Sequence, residues 1–256
     1  MRIRFLGTHN AESKNTRLVS FLIDDVLAVD AGSLVSELTF AEQKQIKAIL
    51  LSHGHYDHIR AVPAFAFNNS DRTTEVIATT KTLEILSSHL IDGVVYPEFT
   101  SDTSFLQKAT IKLAPLEPFK PQNIEGYQVM AVPMRHPLDA VGFEITSGDG
   151  KTLFYTGDTG PDLSSVWDNI SPQLIIADVT WPNSLSTAAR DAGHLCPKML
   201  EKELAEFQRL KVYFPRVVII HLSPQHEPEI ETEVSEVAKL LGTSIDIAHE
   251  GEELIL

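Results

Sequence analysis

Cysteine is nearly absent from this chain of 256 residues: Cys196 stands alone. An internal disulfide is therefore excluded, and a reducing compartment, the cytoplasm, is the expected location. Long apolar runs are also missing. No stretch approaches the roughly 20 residues needed to span a bilayer, so no membrane association is expected. Met1 to Gly7 alternates basic and apolar residues without a signal-peptide core. Basic residues are scarce, 21 against 35 acidic, which leaves a formal charge of −14. Such a field opposes extended docking on nucleic acid, where Lys and Arg neutralise phosphates. Internal repeats and low-complexity tracts are lacking too.

Apolar content is ample, at 43%, and supports one core. A single domain over residues 1–256 is the expectation. Short apolar runs end repeatedly in a residue able to bind a metal or move a proton. Val26–Val29 ends at Asp30, Ala48–Leu51 leads to His53, and Gln128–Val132 leads to His136. Thr152–Tyr155 leads to Asp158, Leu174–Ala177 ends at Asp178, and Val217–Ile220 ends at His221. These runs read as buried strands whose ends carry the chemistry. Helices are expected over Leu34–Lys47, capped by Ser33, and over residues 80–91. Two more are expected over Pro197–Leu210 and Glu229–Leu241. The stretch 92–122 is rich in Pro, Thr and Ser and reads as a loop or short hairpin over the site. Strands followed by helices in each half suggest an α/β sandwich of two sheets flanked by helices.

The densest chemistry is Ser52-His53-Gly54-His55-Tyr56-Asp57-His58. A lone histidine is most often a packed or solvated imidazole. Three imidazoles and a carboxylate at one strand end are a metal-ligand set. They crowd a single tetrahedral ion but suit two adjacent ones. His136, Asp158 and His221 complete a set of seven. It divides into His53, His55 and His136 for one ion and Asp57, His58 and His221 for the other, with Asp158 bridging. Two divalent cations, Zn²⁺ first and Mn²⁺ or Fe as alternatives, are the expected cofactors. Paired cations polarise a shared water and stabilise entering and leaving oxygens during displacement.

The His53-to-His58 run resembles the signature of the metallo-β-lactamase superfamily. Phe5-Leu6-Gly7-Thr8, Val29-Asp30-Ala31-Gly32 and Thr156-Gly157-Asp158-Thr159 are similar to its other motifs. The resemblance runs the length of the chain. It implies the αββα sandwich of two mixed sheets, the ligand division above, and a ligand-orienting role for Asp30. Ala177-Asp178-Val179-Thr180-Trp181 and Ala192-Gly193-His194-Leu195-Cys196-Pro197 resemble the phosphodiesterase branch, ribonuclease Z and the class II cyclic-nucleotide phosphodiesterases. Gly157 to Pro161 and Gly193 to Pro197 look closer to the latter, although Cys196 stands where that family more usually has Thr.

The resemblance implies that Asp178 holds His194 as general acid or phosphate-oxygen donor. The bland alternatives are a helix-capping His194 and a surface Asp178. Asp57, Asp178 and His194 are the expected catalytic residues. The implied activity is hydrolysis of a small phosphodiester, a 3′,5′-cyclic nucleotide first, by metal-bound hydroxide. The alternatives are tRNA 3′ processing and a non-catalytic iron-holding sensor. A homodimer is implied by resemblance. His9, His226 and His249 read as surface residues and His89 as structural. Trp181 reads as packing, and Tyr56 as lining the metal pocket.

Overall fold

The computed structural model describes residues 1–102 and 108–256. In the first half the chain forms β1 (Arg2–Gly7), β2 (Ser20–Ile23), β3 (Leu27–Val29), α1 (Phe40–Gln43) and β4 (Ala48–Leu50). It continues through α2 (Tyr56–Ile59), α3 (Val62–Asn68), β5 (Thr74–Ala78), α4 (Thr80–His89) and β6 (Ile111–Pro115). The second half begins with β7 (Gln122–Ile124), β8 (Tyr127–Pro133), β9 (Val141–Thr146), β10 (Thr152–Tyr155), α5 (Ser164–Asn169) and β11 (Leu174–Asp178). It ends with α6 (Ser186–Ala192), α7 (Pro197–Lys211), β12 (Arg216–Ile220), α8 (Glu227–Leu241), β13 (Ile245–Ile247) and β14 (Glu253–Ile255).

Two seven-stranded sheets result, ordered β14-β1-β2-β3-β4-β5-β6 and β13-β12-β11-β10-β9-β8-β7. Both are mixed. In the first, β3 to β6 run parallel and the remainder antiparallel. In the second, β10 to β13 run parallel and β7 to β10 antiparallel.

The two-residue side-chain period of a strand explains the layering. Ala48 and Leu50 of β4, with Leu174 and Ile176 of β11, point into the core between the sheets, beside Phe21, Phe143 and Tyr155. Ile49 and Leu51 point outward, beneath Phe65 and Leu86 of α3 and α4. Ile175 and Ala177 point outward on the other side, against Trp167, Leu204, Phe207 and Val234 of α5, α7 and α8. Parallel strands buried on both faces read as unbroken apolar runs for this reason. The architecture is the αββα sandwich.

Three elements differ from expectation. The helix expected over Leu34–Lys47 is confined to Phe40–Gln43. Its cap is Thr39, not Ser33: Glu42 closes a capping box with the Thr39 backbone and hydroxyl. Lys47 N–H then bonds Val26 O and draws the chain into the sheet. Ser33 is buried among turns. The loop or short hairpin expected in 92–122 is a loop up to Thr110 among the described residues, but it is followed by an edge strand, β6, running parallel to β5, and then by β7 of the other sheet. Residues 103–107 of that stretch lie outside the described residues. Helix α8 begins at Glu227, two residues early, because Pro228 fits the first turn of a helix.

Candidate metal centre

The parallel strands β3, β4, β11 and β12 end on one rim, and the loops after them converge there. Asp30 follows β3. It is fully buried with φ +52°, in the left-handed region. Its carboxylate accepts from Ser52 N at 2.8 Å, Ser52 Oγ at 2.8 Å, His58 Nδ1 at 2.7 Å and Tyr155 Oη at 2.6 Å. His221 follows β12 and is likewise left-handed, at φ +66°, with its N–H on Thr8 O at 2.6 Å. Strained backbone at two positions of one rim marks a place where geometry outranks local comfort.

Seven side chains meet between these loops. His53 Nε2 and His136 Nε2 each stand 3.0 Å from His55 Nδ1. Asp158 faces this trio through Oδ2, 3.5 Å from His53 Nε2. Its other oxygen, Oδ1, stands 3.3 Å from His58 Nε2 and 3.4 Å from His221 Nε2. Asp57 Oδ2 closes the second group, 3.6 Å from His58 Nε2 and 3.4 Å from His221 Nε2. The ligand atoms of His53, His55, His136 and Asp158 lie within 4.8 Å of one another, as do those of Asp57, His58 and His221, close enough to hold an ion.

The far ring nitrogens fix which nitrogen faces inward. His53 Nδ1 donates to Ser52 Oγ at 3.0 Å, and His58 Nδ1 to Asp30. His136 Nδ1 donates to Gly193 O at 3.0 Å, and His221 Nδ1 to Thr180 Oγ1 at 2.7 Å. Each Nε2 thereby faces the centre, the orientation a metal-binding imidazole needs. Two atoms test the fit of a cation. His58 Nε2 and Asp158 Oδ1 are buried without a hydrogen-bond partner. Buried polar atoms left unpaired are costly, and a divalent ion satisfies both.

The electrostatics agree. Burial, with the neighbouring imidazoles, pushes His53 well below the usual histidine range. Burial lowers His55 and His136 as well. These rings stay neutral, as metal binding requires. Burial opposes charge on His58 and His221, but the carboxylates outweigh it. Asp158, Asp30 and Asp57 raise His58 well above its usual value, and Asp158, Asp178 and Asp57 raise His221 to about 10. Asp57 and Asp158 are held below the carboxylate range against their burial, chiefly by His58 and His221. The centre calls for positive charge.

Beside it lies a second pair. Asp178 Oδ2 accepts from His194 Nδ1 at 2.9 Å, and His194 Nδ1 is 4.0 Å from Asp158 Oδ2. The His194 ring stacks on His221 with centroids 5.2 Å apart and planes 17° from parallel. Asp178 is buried rather than on the surface, and Cys196, not His194, holds the cap position of α7. Trp181 meets the His194 edge at 5.5 Å, whereas Tyr56 is 63% exposed at the start of α2.

Sequence reasoning missed several supports. Thr180 receives His221 Nδ1 and gives its own proton to Asp178 Oδ1 at 2.6 Å. Ser52 and Tyr155 hold Asp30. Thr180 lay inside a motif already singled out, Ala177 to Trp181. Tyr155 ends a core strand and carried no separate signal. His9 is not a solvated loop residue: it is buried between Glu250 (2.9 Å) and Glu227 (3.5 Å). The bridges from His9 to Leu18 and Leu222 draw it inward. His89, read as structural, is exposed in the last turn of α4.

An αββα sandwich with a histidine–aspartate cluster at its strand ends defines a class of metal-binding protein. A beta-lactamase superfamily domain matches residues 21–222, and the chain belongs to that superfamily. Among curated relatives, a probable 3′,5′-cyclic-nucleotide phosphodiesterase of Yersinia pestis is 24% identical over 208 residues, 72% of this chain and 59% of its own length. A 3′,5′-cyclic-nucleotide phosphodiesterase of Aliivibrio fischeri is 24% identical over 73% of this chain and 70% of its own length. The chain thus spans about 59% of the length of the first relative. The crystal structure of unliganded yeast PDE1 superposes with a TM-score of 0.84 at 17% identity, covering 100% of this chain and 99% of that one. That of human tRNase Z, short form, gives 0.70 at 18% identity, with 100% and 99% covered.

Proposed function

We propose that the protein is a metal-dependent phosphodiesterase that hydrolyses a small phosphodiester, with a 3′,5′-cyclic nucleotide as the substrate of choice. The observation that carries this reading is the pair of a buried Asp178 and a half-buried His194, whose Nδ1 stands 4.0 Å from the Asp158 carboxylate between the two ligand groups. A phosphodiester expels an alkoxide, which needs a proton or a cation beside it.

In this reading His53, His55 and His136 would hold one cation and Asp57, His58 and His221 the other, with the Asp158 carboxylate between the two groups. Two divalent ions there, Zn²⁺ by preference, would supply an activated water and positive charge beside the phosphoryl oxygens. Asp57 orients the nucleophile. Asp178 fixes the His194 ring through Nδ1. His194 then presents the Nε2 proton to the leaving oxygen.

The relatives named as cyclic-nucleotide phosphodiesterases support the substrate class. The likeness to tRNase Z favours a ribonuclease as the second reading, and the charge of −14 weighs against it. The reading includes a single unit over residues 1–256, a cytoplasmic location and a homodimer. No helix among the described residues is long and apolar enough to cross a membrane.

The test is a substrate panel on metal-loaded protein. Close to two ions per chain by elemental analysis, with turnover of bis-p-nitrophenyl phosphate and a cyclic nucleotide, supports the reading. Cleavage of precursor tRNA in place of cyclic nucleotide favours the ribonuclease. Iron absorbance that responds to oxygen, with no diester cleaved, sinks both in favour of a sensor.

A further inference from the structure

A cavity of about 300 Å³ opens on the flank of the centre. Its walls come from three segments: Met134–Pro137, Gly160–Asp162 and Arg190–Gly193. Each segment lies within two residues of a side chain of the centre or includes it: His136, Asp158 and His194. We propose that this cavity is the nucleobase subsite, which seats the heteroaromatic base of the substrate while its phosphate lies at the metal ligands. The inference rests on the phosphodiesterase reading and deepens it.

The cavity is built rather than incidental. Gly160 N–H bonds Arg135 O at 2.7 Å, and His136 Nδ1 bonds Gly193 O at 3.0 Å, so the three walls are tied together at their base. A side chain on Gly193 would stand 2.7 Å from Pro137 Cδ and 3.0 Å from His136 Nδ1, and Gly193 has φ +77°. The missing side chain and left-handed backbone of Gly193 let Pro137 and His136 pack directly against it, which fixes this wall of the cavity. Asp162, on the rim, is a non-glycine residue at φ +75°. The buried Glu203 carboxylate holds it there, accepting from Asp162 N at 2.7 Å and Leu163 N at 3.0 Å. Strain retained by a dedicated clamp shapes a binding surface.

The lining chemistry selects the occupant. Met134, Pro137 and Pro161 give flat apolar faces. Arg135 and Arg190 approach one oxygen of Asp162, at 3.0 and 3.9 Å, so their N–H donors outnumber that acceptor. Asp191 adds a further acceptor. Two guanidinium and two carboxylate groups cancel in charge, which disfavours a bare anion. A neutral ring whose edge carries both acceptors and donors matches, and guanidinium planes stack on bases as well as hydrogen-bond them.

The experiment compares the zinc-loaded full chain with its Arg190→Ala variant. Arg190 is exposed at the end of α6, so the fold is expected to persist, and a circular-dichroism melt checks it. kcat/KM is measured for a cyclic nucleotide and for bis-p-nitrophenyl phosphate, which has no base edge. The ratio of the two is expected to fall about tenfold, chiefly through KM for the nucleotide. An unchanged ratio overturns the subsite. Calorimetry adds a reading independent of turnover, with AMP and GMP set against ribose 5-phosphate. The intact chain is expected to bind the nucleotides about tenfold more tightly, with that advantage lost in the variant. Equal binding of all three overturns the proposal. A nucleotide advantage without cleavage of either diester leaves the subsite standing and defeats the activity.

Discussion

Thr180 Oγ1 stands 2.7 Å from His221 Nδ1 and accepts its proton, while donating its own to Asp178 at 2.6 Å. One buried hydroxyl thus connects a metal-facing imidazole to the carboxylate that holds His194. Thr180→Val keeps the shape and removes both bonds, leaving His221 free to turn. Zinc affinity at the second ion position is expected to fall roughly 10- to 100-fold, with Thr180→Ser restoring it. Competition titration with a chromogenic chelator measures this; unaltered affinity in the valine variant would count against the link.

His194 and Asp158 separate chemistry from metal binding. His194→Ala is expected to keep both ions and lower kcat about 10²- to 10⁴-fold. Asp158→Ala removes the carboxylate common to both groups and is expected to lose metal as well as turnover. Elemental analysis beside steady-state kinetics distinguishes the two variants. Ion loss in His194→Ala would place that residue among the ligands instead.

Asp30 accepts four hydrogen bonds without solvent contact. Asp30→Ala leaves Ser52, His58 and Tyr155 with buried, unpaired donors. The expected loss of stability is about 3–5 kcal/mol. Urea denaturation of metal-free protein gives the value, and a cost under about 1 kcal/mol would show that these donors find other partners.

His9 carries a pH signature away from the metal ligands' own titration. Burial opposes its charge, but Glu250 and Glu227 prevail and raise its pKa above the usual 6.5. A raised pKa stabilises the fold fully below the unfolded value, and the benefit fades as pH climbs through the folded one. The stability gap between the natural chain and His9→Gln is therefore expected to be widest below about pH 6 and to narrow in alkali. Melting curves across pH 5.5–9.5, a range set about the histidine value, test the sign. A gap that widens with pH would reverse it.

Much of this could be read from local order. Unbroken apolar runs such as Ile49–Leu51 and Leu174–Ala177 announce strands covered on both faces, because period-two side chains then need apolar partners on each side. The run from His53 to His58 places four ligand-type groups on one strand end by chain connectivity alone. Local signals failed where two patterns competed. Leu34 to Lys47 has helical spacing, yet its first residues pack as buried turns, and the capping box at Thr39 decides where the helix begins. His9 looked solvated after the Gly7-Thr8 turn, and the two glutamates that bury it come from positions 227 and 250.

Residue types and strand-forming periodicity, then, were dictated by the chain: which segments pair, and which side chains offer a lone pair at a segment's end. Tertiary structure alone decided that His136, Asp158 and His221 arrive from three separate strands at the spot His53 to His58 already occupy. It also decided that Thr180, Ser52 and Tyr155 orient them, and that three loops enclose a cavity beside His136. The reason is range. Strand propensity acts over a few residues, whereas convergence at one rim depends on the parallel registers of β3 with β4 and of β11 with β12, settled when the two sheets close on their shared core.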